Sequence, residues 1–191
     1  GTLALRGLAL FRAFGVDLSV FEGLTDLRRL DVDASSISLV AHFPALETVR
    51  QYQTPTSDLT HLAACPDLRD LTVLHCPLAT LDGLRDLPRL TRLSIESSRV
   101  LADLDPFQHL ANLESLELRR CRAITDLGPL AGLRRLRRLV LEHVGNRRLD
   151  LSPLFELPCL ESVRIVGCRG VPALLTFDDF DRHRPLRYRR R

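Results

Sequence analysis

The sequence predicts an α/β solenoid, a curved stack of short turns with a parallel concave β-sheet and short helical or 3-10 segments on the convex side. Three observations lead to this fold class. Leucine fills 41 of the 191 positions, about twice its usual share in a globular domain. The leucines recur as L-x-x-L-x-x-L-x-L. This pattern returns every 19 to 24 residues along nearly the whole chain, as in proteins built from structural repeats.

Each unit contains one short strand, because the two leucines of L-x-L point to the same face and the residue between them points to the other. The strands open at Leu8, Leu30, Val49, Leu71, Leu93, Leu116, Leu139 and Val163. We therefore predict eight parallel strands, centred near residues 9, 31, 50, 72, 94, 117, 140 and 164. Two departures stand out. The second unit has only 19 residues, so its convex connection is expected to be shortened or distorted, and Gln51 replaces a core aliphatic.

The segments between strands carry signals for starting a helix. Five units have an aspartate followed by leucine, at Asp17, Asp58, Asp103, Asp126 and Asp150, and proline follows in three of them, at Pro106, Pro129 and Pro153. Aspartate caps a helix N-terminus and proline suits its first turn. Because the segments are short, one-turn helical or 3-10 pieces are expected.

The domain organisation follows from the repeat. We expect a single domain over residues 1–191, with eight repeats and a degenerate cap at about 176–191 that adds a ninth strand near residue 187. Since the chain opens on Gly1 and contains no methionine, we expect a fragment of a longer multidomain protein, with upstream domains of the same chain as partners. No window holds 18 consecutive uncharged apolar residues, so no membrane partner is expected.

These units resemble the leucine-rich repeat family. Cys76, Cys121 and Cys168 stand at the position where that family has asparagine or cysteine, and the turns of 22 to 23 residues are most similar to short bacterial, internalin-like repeats. The resemblance implies a leucine-rich-repeat solenoid, or horseshoe. A lysine-free repeat chain of this kind also resembles the C-terminal sensor domain of a bacterial NACHT/NLR-like signalling NTPase, with its nucleotide machinery upstream.

Several kinds of chemistry are excluded or disfavoured. All 27 basic residues are arginine, which removes the lysine of a P-loop, of a protein kinase and of Schiff-base catalysis. The five cysteines form no C-x-x-C pair and match no zinc spacing, so they are expected to be reduced in a cytoplasmic protein. His75 adjoins Cys76, but the side chains of neighbouring residues in a strand face opposite ways, so these two are not expected to form a catalytic pair. The acidic cluster Asp178, Asp179 and Asp181 lacks the pattern of a calcium loop. No catalytic residue, metal or cofactor is expected.

The concave face is the expected binding surface, because its side chains are free of core packing. The candidate ligand-binding residues are Phe11, Tyr52, Leu74, Arg92, Glu96, Glu117, Arg119, Arg138, Glu142, Arg164 and Arg187. The first three are large apolar groups where solvent is expected. They form either a contact hot spot or a surface covered by preceding residues or by a cap.

Charge is divided unevenly along the chain. Residues 1–109 hold 10 arginines against 14 acids, a net charge of −4, and residues 110–191 hold 17 arginines against 10 acids, a net charge of +7. The basic end suits an acidic protein or phosphates. Because Glu96, Glu117 and Glu142 interleave with these arginines, cross-strand ion pairs are expected to consume much of the field. A protein ligand is therefore favoured, with nucleic acid as the weaker alternative.

The function expected from the sequence is a non-catalytic protein-recognition or ligand-sensing domain that binds on its concave face, in the cytoplasm, as the C-terminal sensor of a NACHT/NLR-like protein. Two alternatives stay open. One is a stand-alone scaffold or regulatory subunit of an enzyme, and the other is an internalin-like adhesin. The residues do not identify the ligand.

Overall fold

The computed structural model describes residues 5–12, 21, 23–171 and 174–176, and within them a single sheet runs through the stack. Its strands follow one another in chain order. They are β1 (Gly7–Leu10), β2 (Arg29–Asp33), β3 (Thr48–Tyr52), β4 (Asp70–Leu74), β5 (Arg92–Glu96), β6 (Ser115–Arg119), β7 (Arg138–Glu142), β8 (Ser162–Val166) and β9 (Leu174–Thr176). The strands β1 to β8 are parallel. Each contains its predicted centre, so the eight predicted strands are confirmed.

The connections between strands carry short 3-10 helices, as predicted for the convex side. Those in the described part of the chain span Ile37–His42, Thr60–Ala64, Leu84–Asp86, Asp105–His109, Gly128–Gly132 and Ser152–Glu156. Their buried residues, for example Leu62, Phe107 and Leu130, face the strands across the core. The fold class predicted from the repeat, a leucine-rich-repeat solenoid with a parallel sheet and short 3-10 segments, is therefore confirmed.

The leucines of the repeat build one continuous core. In the sixth turn Leu110, Leu113, Leu116 and Leu118 are all at most 2% exposed. Burying such a side chain contributes about 1.5 to 3 kcal/mol. Ordering the 22 residues of a turn costs about 1 to 2 kcal/mol per residue, so a turn is stable only when its neighbours cover both of its sides. The strand pairings and the shared core supply that cover.

The short second turn differs in one place only. Five residues connect every 3-10 helix to the next strand, in the second turn (43–47) as in the later ones. Between the strand and the helix, however, the second turn has three residues (34–36), whereas the others have seven to nine. The shortening expected of this unit therefore falls in the loop that leaves the strand, while its 3-10 helix is the longest, with six residues.

The aspartates of the Asp-Leu steps stabilise the helix starts. The Oδ1 atoms of Asp58, Asp103, Asp126 and Asp150 accept the backbone N–H two residues ahead, at distances of 2.7 to 3.0 Å. Because that residue opens the 3-10 helix, the aspartate lies one position before the structural N-cap, in an Asx turn. The hydroxyls of Thr60 and Ser152 also donate to Asp58 and Asp150, which lowers the pKa of both carboxyls. Asp17 lies outside the described residues.

The C-terminal edge of the sheet differs from the prediction. The strand β9 pairs antiparallel with β8, with Arg164 opposite Thr176 and Val166 opposite Leu174. It occupies the edge where a ninth parallel strand would pair. The predicted strand near residue 187 and the cluster Asp178, Asp179 and Asp181 lie outside the described residues. A reversed strand breaks the repeat register, so the leucine spacing does not predict it.

The cysteines at the repeat position are buried and bonded to backbone, as the resemblance implied. Cys121 Sγ donates to the carbonyls of Arg119 (3.4 Å) and Ile95 (3.8 Å), and Cys168 makes the same two kinds of contact. Thr54 and Ser98 are buried at this position in other turns. The Ser98 hydroxyl donates to Cys76 O at 2.9 Å, so the position links neighbouring turns.

Candidate functional site: the concave face

The concave face consists of columns of side chains held in register by the strands. One column contains the middle residues of the strands, and a second contains their last residues. Both columns run in register from β2 to β8. The paired strands lie about 4.8 Å apart, so the side chains of one column contact their neighbours while the core leucines point away from them.

The apolar end of the face is formed by Phe11 and Tyr52. Their ring centroids are 5.3 Å apart and their planes are inclined by 70°, an edge-to-face geometry that stabilises aromatic pairs. Phe11 is 52% exposed and Tyr52 half-buried. Leu74 pairs with Tyr52 across β3 and β4 and continues the apolar surface by one strand. The three apolar residues predicted as a cluster are thus brought together.

Asp33 lies between the two aromatic residues in this column, at the end of β2. Its carboxylate accepts the backbone N–H of Arg12 at 2.7 Å and that of Ser35 at 2.9 Å. The hydroxyl of Ser35 also donates to it, and these hydrogen bonds lower the pKa of the Asp33 carboxyl. Since Arg12 follows Phe11 directly, the bond from its N–H anchors the backbone that carries the Phe11 ring.

The basic end of the face is neutralised by an ion-pair network. Arg119 contacts Glu117 at 3.0 Å and Glu142 at 3.6 Å. Glu142 also contacts Arg164 at 3.2 Å. Two arginines therefore alternate with two glutamates across β6, β7 and β8. This confirms the expectation that interleaved glutamates consume the positive field of this surface.

The remaining candidate residues are separate from this network. Arg92, at the start of β5, contacts Asp70 at 2.9 Å. Glu96 contacts Arg120 at 3.1 Å. Arg138 opens β7 and is exposed. Arg187 lies outside the described residues, as does Arg189.

Burial suppresses the reactivity of the thiols and separates His75 from Cys76. His75 is exposed and Cys76 is buried, so the two side chains face opposite ways, as predicted. Desolvation raises the pKa of Cys65 and Cys121 to about 11 and also raises that of Cys168. Thiolates are the nucleophilic form of cysteine, so none of these three is activated.

A buried polar contact occupies the place where Gln51 interrupts the repeat. Gln51 is fully buried in β3, and its amide nitrogen contacts Nε2 of His61 on the following 3-10 helix. The amide oxygen has no hydrogen-bond partner. Burial lowers the pKa of His61. The sequence marked Gln51 as a departure but contained no information on its partner.

A second polar surface lies along the loops that leave β5 to β8. We call it the rim, and define it as residues 97–102, 120–125, 143–149 and 167–171. The first residue of each of these loops, Ser97, Arg120, His143 and Gly167, has a positive φ between 52° and 64°. The backbone N–H of Arg120 donates to Glu142 O at 2.7 Å, and that of His143 to Val166 O at 2.8 Å. Arg120 adopts this left-handed conformation directly after the last residue of β6, so it belongs to the rim.

The described residues contain neither a candidate metal cluster nor a helix that could span a membrane. No group of three or more histidine, cysteine, aspartate or glutamate side chains is placed to hold a metal ion there. No helix within the described ranges is long and apolar enough to span a membrane.

Solved structures with the same fold include bacterial and plant proteins. Internalin C2 from Listeria monocytogenes matches with a TM-score of 0.63 and 25% identity over 78% of this chain and 66% of its own. The functional domain of InlJ from the same organism, which includes a cysteine ladder, matches with a TM-score of 0.55 and 23% identity over 80% of this chain and 33% of its own.

The plant peptide hormone receptor RGFR1, solved in complex with RGF2, matches with a TM-score of 0.55 and 17% identity over 76% of this chain and 25% of its own. This chain thus spans less than two thirds of each of these three structures. No protein-family model and no curated protein matches the sequence.

Proposed function

Because this chain is a leucine-rich-repeat solenoid with turns similar to those of internalins, we propose that it is a non-catalytic recognition domain that binds a protein segment on its concave face. The observation that carries the proposal is the exposed Phe11–Tyr52 pair, which the sheet holds beside Leu74. Aromatic groups that become desolvated on binding dominate protein interfaces. Their rigid support also lowers the entropy that binding costs.

The ion pairs of the concave face support a protein ligand over nucleic acid. Binding of nucleic acid draws most of its affinity from arginines and lysines that neutralise phosphates. Arg119 and Arg164 are already neutralised by Glu117 and Glu142, so a polyanion would have to displace these glutamates. A protein segment that packs on Phe11 and Tyr52 leaves the network intact.

The proposal extends to the cellular location of the domain and to the protein of which it is part. We place it in the cytoplasm as the C-terminal sensor of a NACHT/NLR-like protein, supported by five free thiols, four of them buried. The thiols do not separate this role from the internalin-like alternative, because InlJ also includes a cysteine ladder. The full-length gene distinguishes the roles. An upstream P-loop supports the sensor, and a secretion signal with a wall anchor supports the adhesin. A gene that encodes neither of these features supports the scaffold.

The binding face is tested with peptides selected from a random 12-residue phage library on the immobilised protein. Fluorescence anisotropy then measures their affinity for variants. We expect Tyr52→Ala to weaken binding by about 30-fold, or about 2 kcal/mol. Val100→Ala, which removes a side chain that is 58% exposed on the rim, is the matched control and leaves affinity unchanged.

The same assay separates the charged end of the face from the alternative ligand. Arg119→Ala and Arg164→Ala mainly slow association, and Arg134→Ala, an exposed arginine outside the face, serves as the control. A 20-nucleotide single strand replaces the peptide in a parallel salt titration. Binding of the oligonucleotide that is tighter than that of the peptides and falls steeply with salt would favour nucleic acid. Peptide binding that survives the combined loss of Tyr52, Arg119 and Arg164 would rule out the concave face.

A further inference from the structure

The rim concentrates positive charge that the rest of the molecule does not neutralise. Its residues include six arginines and one histidine, whereas the aspartates of the same loops, Asp103, Asp126 and Asp150, lie at the ends that lead into the 3-10 helices. The arginines are Arg99, Arg120, Arg122, Arg147, Arg148 and Arg169. Arg120 contacts Glu96 at 3.1 Å, and within the described part of the chain the other five form no ion pair. Arginines without an ion-pair partner are therefore clustered in these loops.

Two adjacent cavities lie among these side chains. The first, of about 300 Å³, is lined by Ser97, Arg99, Arg120 and Arg122. The second, of about 240 Å³, is lined by Arg122, His143, Asn146 and Arg169 together with Gly145 and Gly167. Arg122 belongs to both cavities, so one guanidinium group joins two polar sites in neighbouring turns.

Two glycines in the loop after β8 make room for basic side chains of the preceding turn, and one of them, Gly167, lines the second cavity. Gly167 and Gly170 have φ values of +64° and +80°. A Cβ at 167 would collide with the imidazole ring of His143, and a Cβ at 170 would collide with the stem of Arg148. Both glycines thus leave room for basic side chains of the preceding turn to lie flat against the backbone, which positions these groups along the rim.

We propose that the rim binds a protein segment carrying two phosphorylated side chains, one in each cavity, with Arg122 between them. The first cavity presents three guanidinium groups and the Ser97 hydroxyl. One positive charge is neutralised by Glu96, which leaves a charge of +2 to match a phosphate of about −2. These groups offer more donors than the two oxygens of a carboxylate accept, whereas a phosphate monoester has three free oxygens.

The spacing of the cavities selects the ligand further. The first cavity is lined by the loops after β5 and β6, and the second by the loops after β6, β7 and β8. Their centres are therefore offset by about one and a half turns, or about 7 Å at a strand spacing of about 4.8 Å. Side chains two residues apart in an extended segment are also about 7 Å apart, so phosphoserines at positions i and i+2 suit the two cavities. Nucleic acid is disfavoured because proteins bind single strands with several aromatic side chains on which successive bases stack, whereas the rim contains one aromatic ring, that of His143, and the exposed Phe11 lies at the other end of the stack.

The test uses three fluorescein-labelled peptides with one sequence of glycine and serine. They carry phosphoserine, glutamate or unmodified serine at positions i and i+2, and anisotropy is measured at 150 mM salt. We expect the phosphorylated peptide to bind at least tenfold more tightly than the other two. Arg122→Gln weakens its binding at least tenfold. Arg134→Gln, which removes the same charge from an exposed site outside the rim, changes it less than twofold.

Three results would overturn the proposal. Equal binding of the glutamate peptide would make the rim a carboxylate site. Tighter binding of a mixed-sequence 12-nucleotide strand, lost in Arg122→Gln, would make it a nucleic-acid surface. Equal effects of Arg122→Gln and Arg134→Gln would show that binding depends on the net charge of the protein and not on the rim. Because the rim is separate from the concave face, we expect Tyr52→Ala to leave the affinity for the phosphorylated peptide unchanged, which distinguishes a failure of this proposal from a failure of the concave-face proposal.

Discussion

Replacing Leu116 by alanine tests the register on which the whole structure depends. Leu116 is 0% exposed in the middle of the stack, and its partners in β5 and β7, Leu93 and Leu139, are 2% and 0% exposed. Removing three carbons forfeits about 2 kcal/mol of transfer free energy. The cavity between turns that cannot close raises the loss to about 2 to 5 kcal/mol. For a chain of this length the melting temperature falls by about 5 to 20 °C.

Glu117→Ala is the control for this prediction, because Glu117 is the next residue along the same strand. Its side chain is 30% exposed and forms an ion pair with Arg119 at 3.0 Å, so its loss costs about 1 kcal/mol or less. Thermal unfolding followed by circular dichroism measures both variants. A shift of one residue in register would bury Glu117 and expose Leu116. Equal losses of stability in the two variants would therefore refute the assigned register.

Three further predictions concern buried groups. Replacing both partners of the buried contact, by Gln51→Leu with His61→Leu, restores the repeat and removes an unpaired amide oxygen, so it stabilises the fold by about 1 kcal/mol; a lower midpoint of urea unfolding would contradict this. Burial lowers the pKa of His61 below its value in the unfolded chain, so the contribution of neutral His61 to the free energy of unfolding is present above about pH 6.5 and is lost as the pH falls. The melting temperature should therefore drop less between pH 7.5 and 5.5 in His61→Gln than in the wild type. Alkylation by iodoacetamide at pH 8, followed by mass spectrometry, should modify the partly exposed Cys159 first, and fast labelling of Cys121 would contradict its burial and its raised pKa of about 11.

The strands and the concave columns were predictable because they depend only on the alternation of side chains between the two faces of a strand. A leucine at each end of L-x-L sends the residue between them to the other face, so the eight strand centres and the neighbours of Tyr52 follow from counting. The interleaving of glutamates and arginines likewise predicted cross-strand ion pairs, since side chains of one column in neighbouring strands are within reach of one another.

The features that escaped prediction are those that the repeat does not encode. The residues that adopt positive φ after the strands include Gln53, His75 and Ser97, and none of these types favours the left-handed region as glycine does. The antiparallel strand β9 follows a reversal of the chain, which resets the spacing. The contact of Gln51 with His61 depends on how the loop between them returns to the core.

The positions of the arginines distinguish the concave face from the rim. On a strand, the neighbouring turns bring a residue of the same column to about 4.8 Å, so an arginine such as Arg164 meets a glutamate wherever the next turn supplies one. The aspartates of the rim loops lie at the far ends of those loops, next to the 3-10 helices, and arginines such as Arg122 and Arg169 form no ion pair within the described chain. Paired charges present little net field to a ligand, whereas unpaired ones attract anions over a distance of about 8 Å at physiological salt. The two surfaces should thus differ in the salt dependence of their binding, with the concave face acting through apolar contact and the rim through charge.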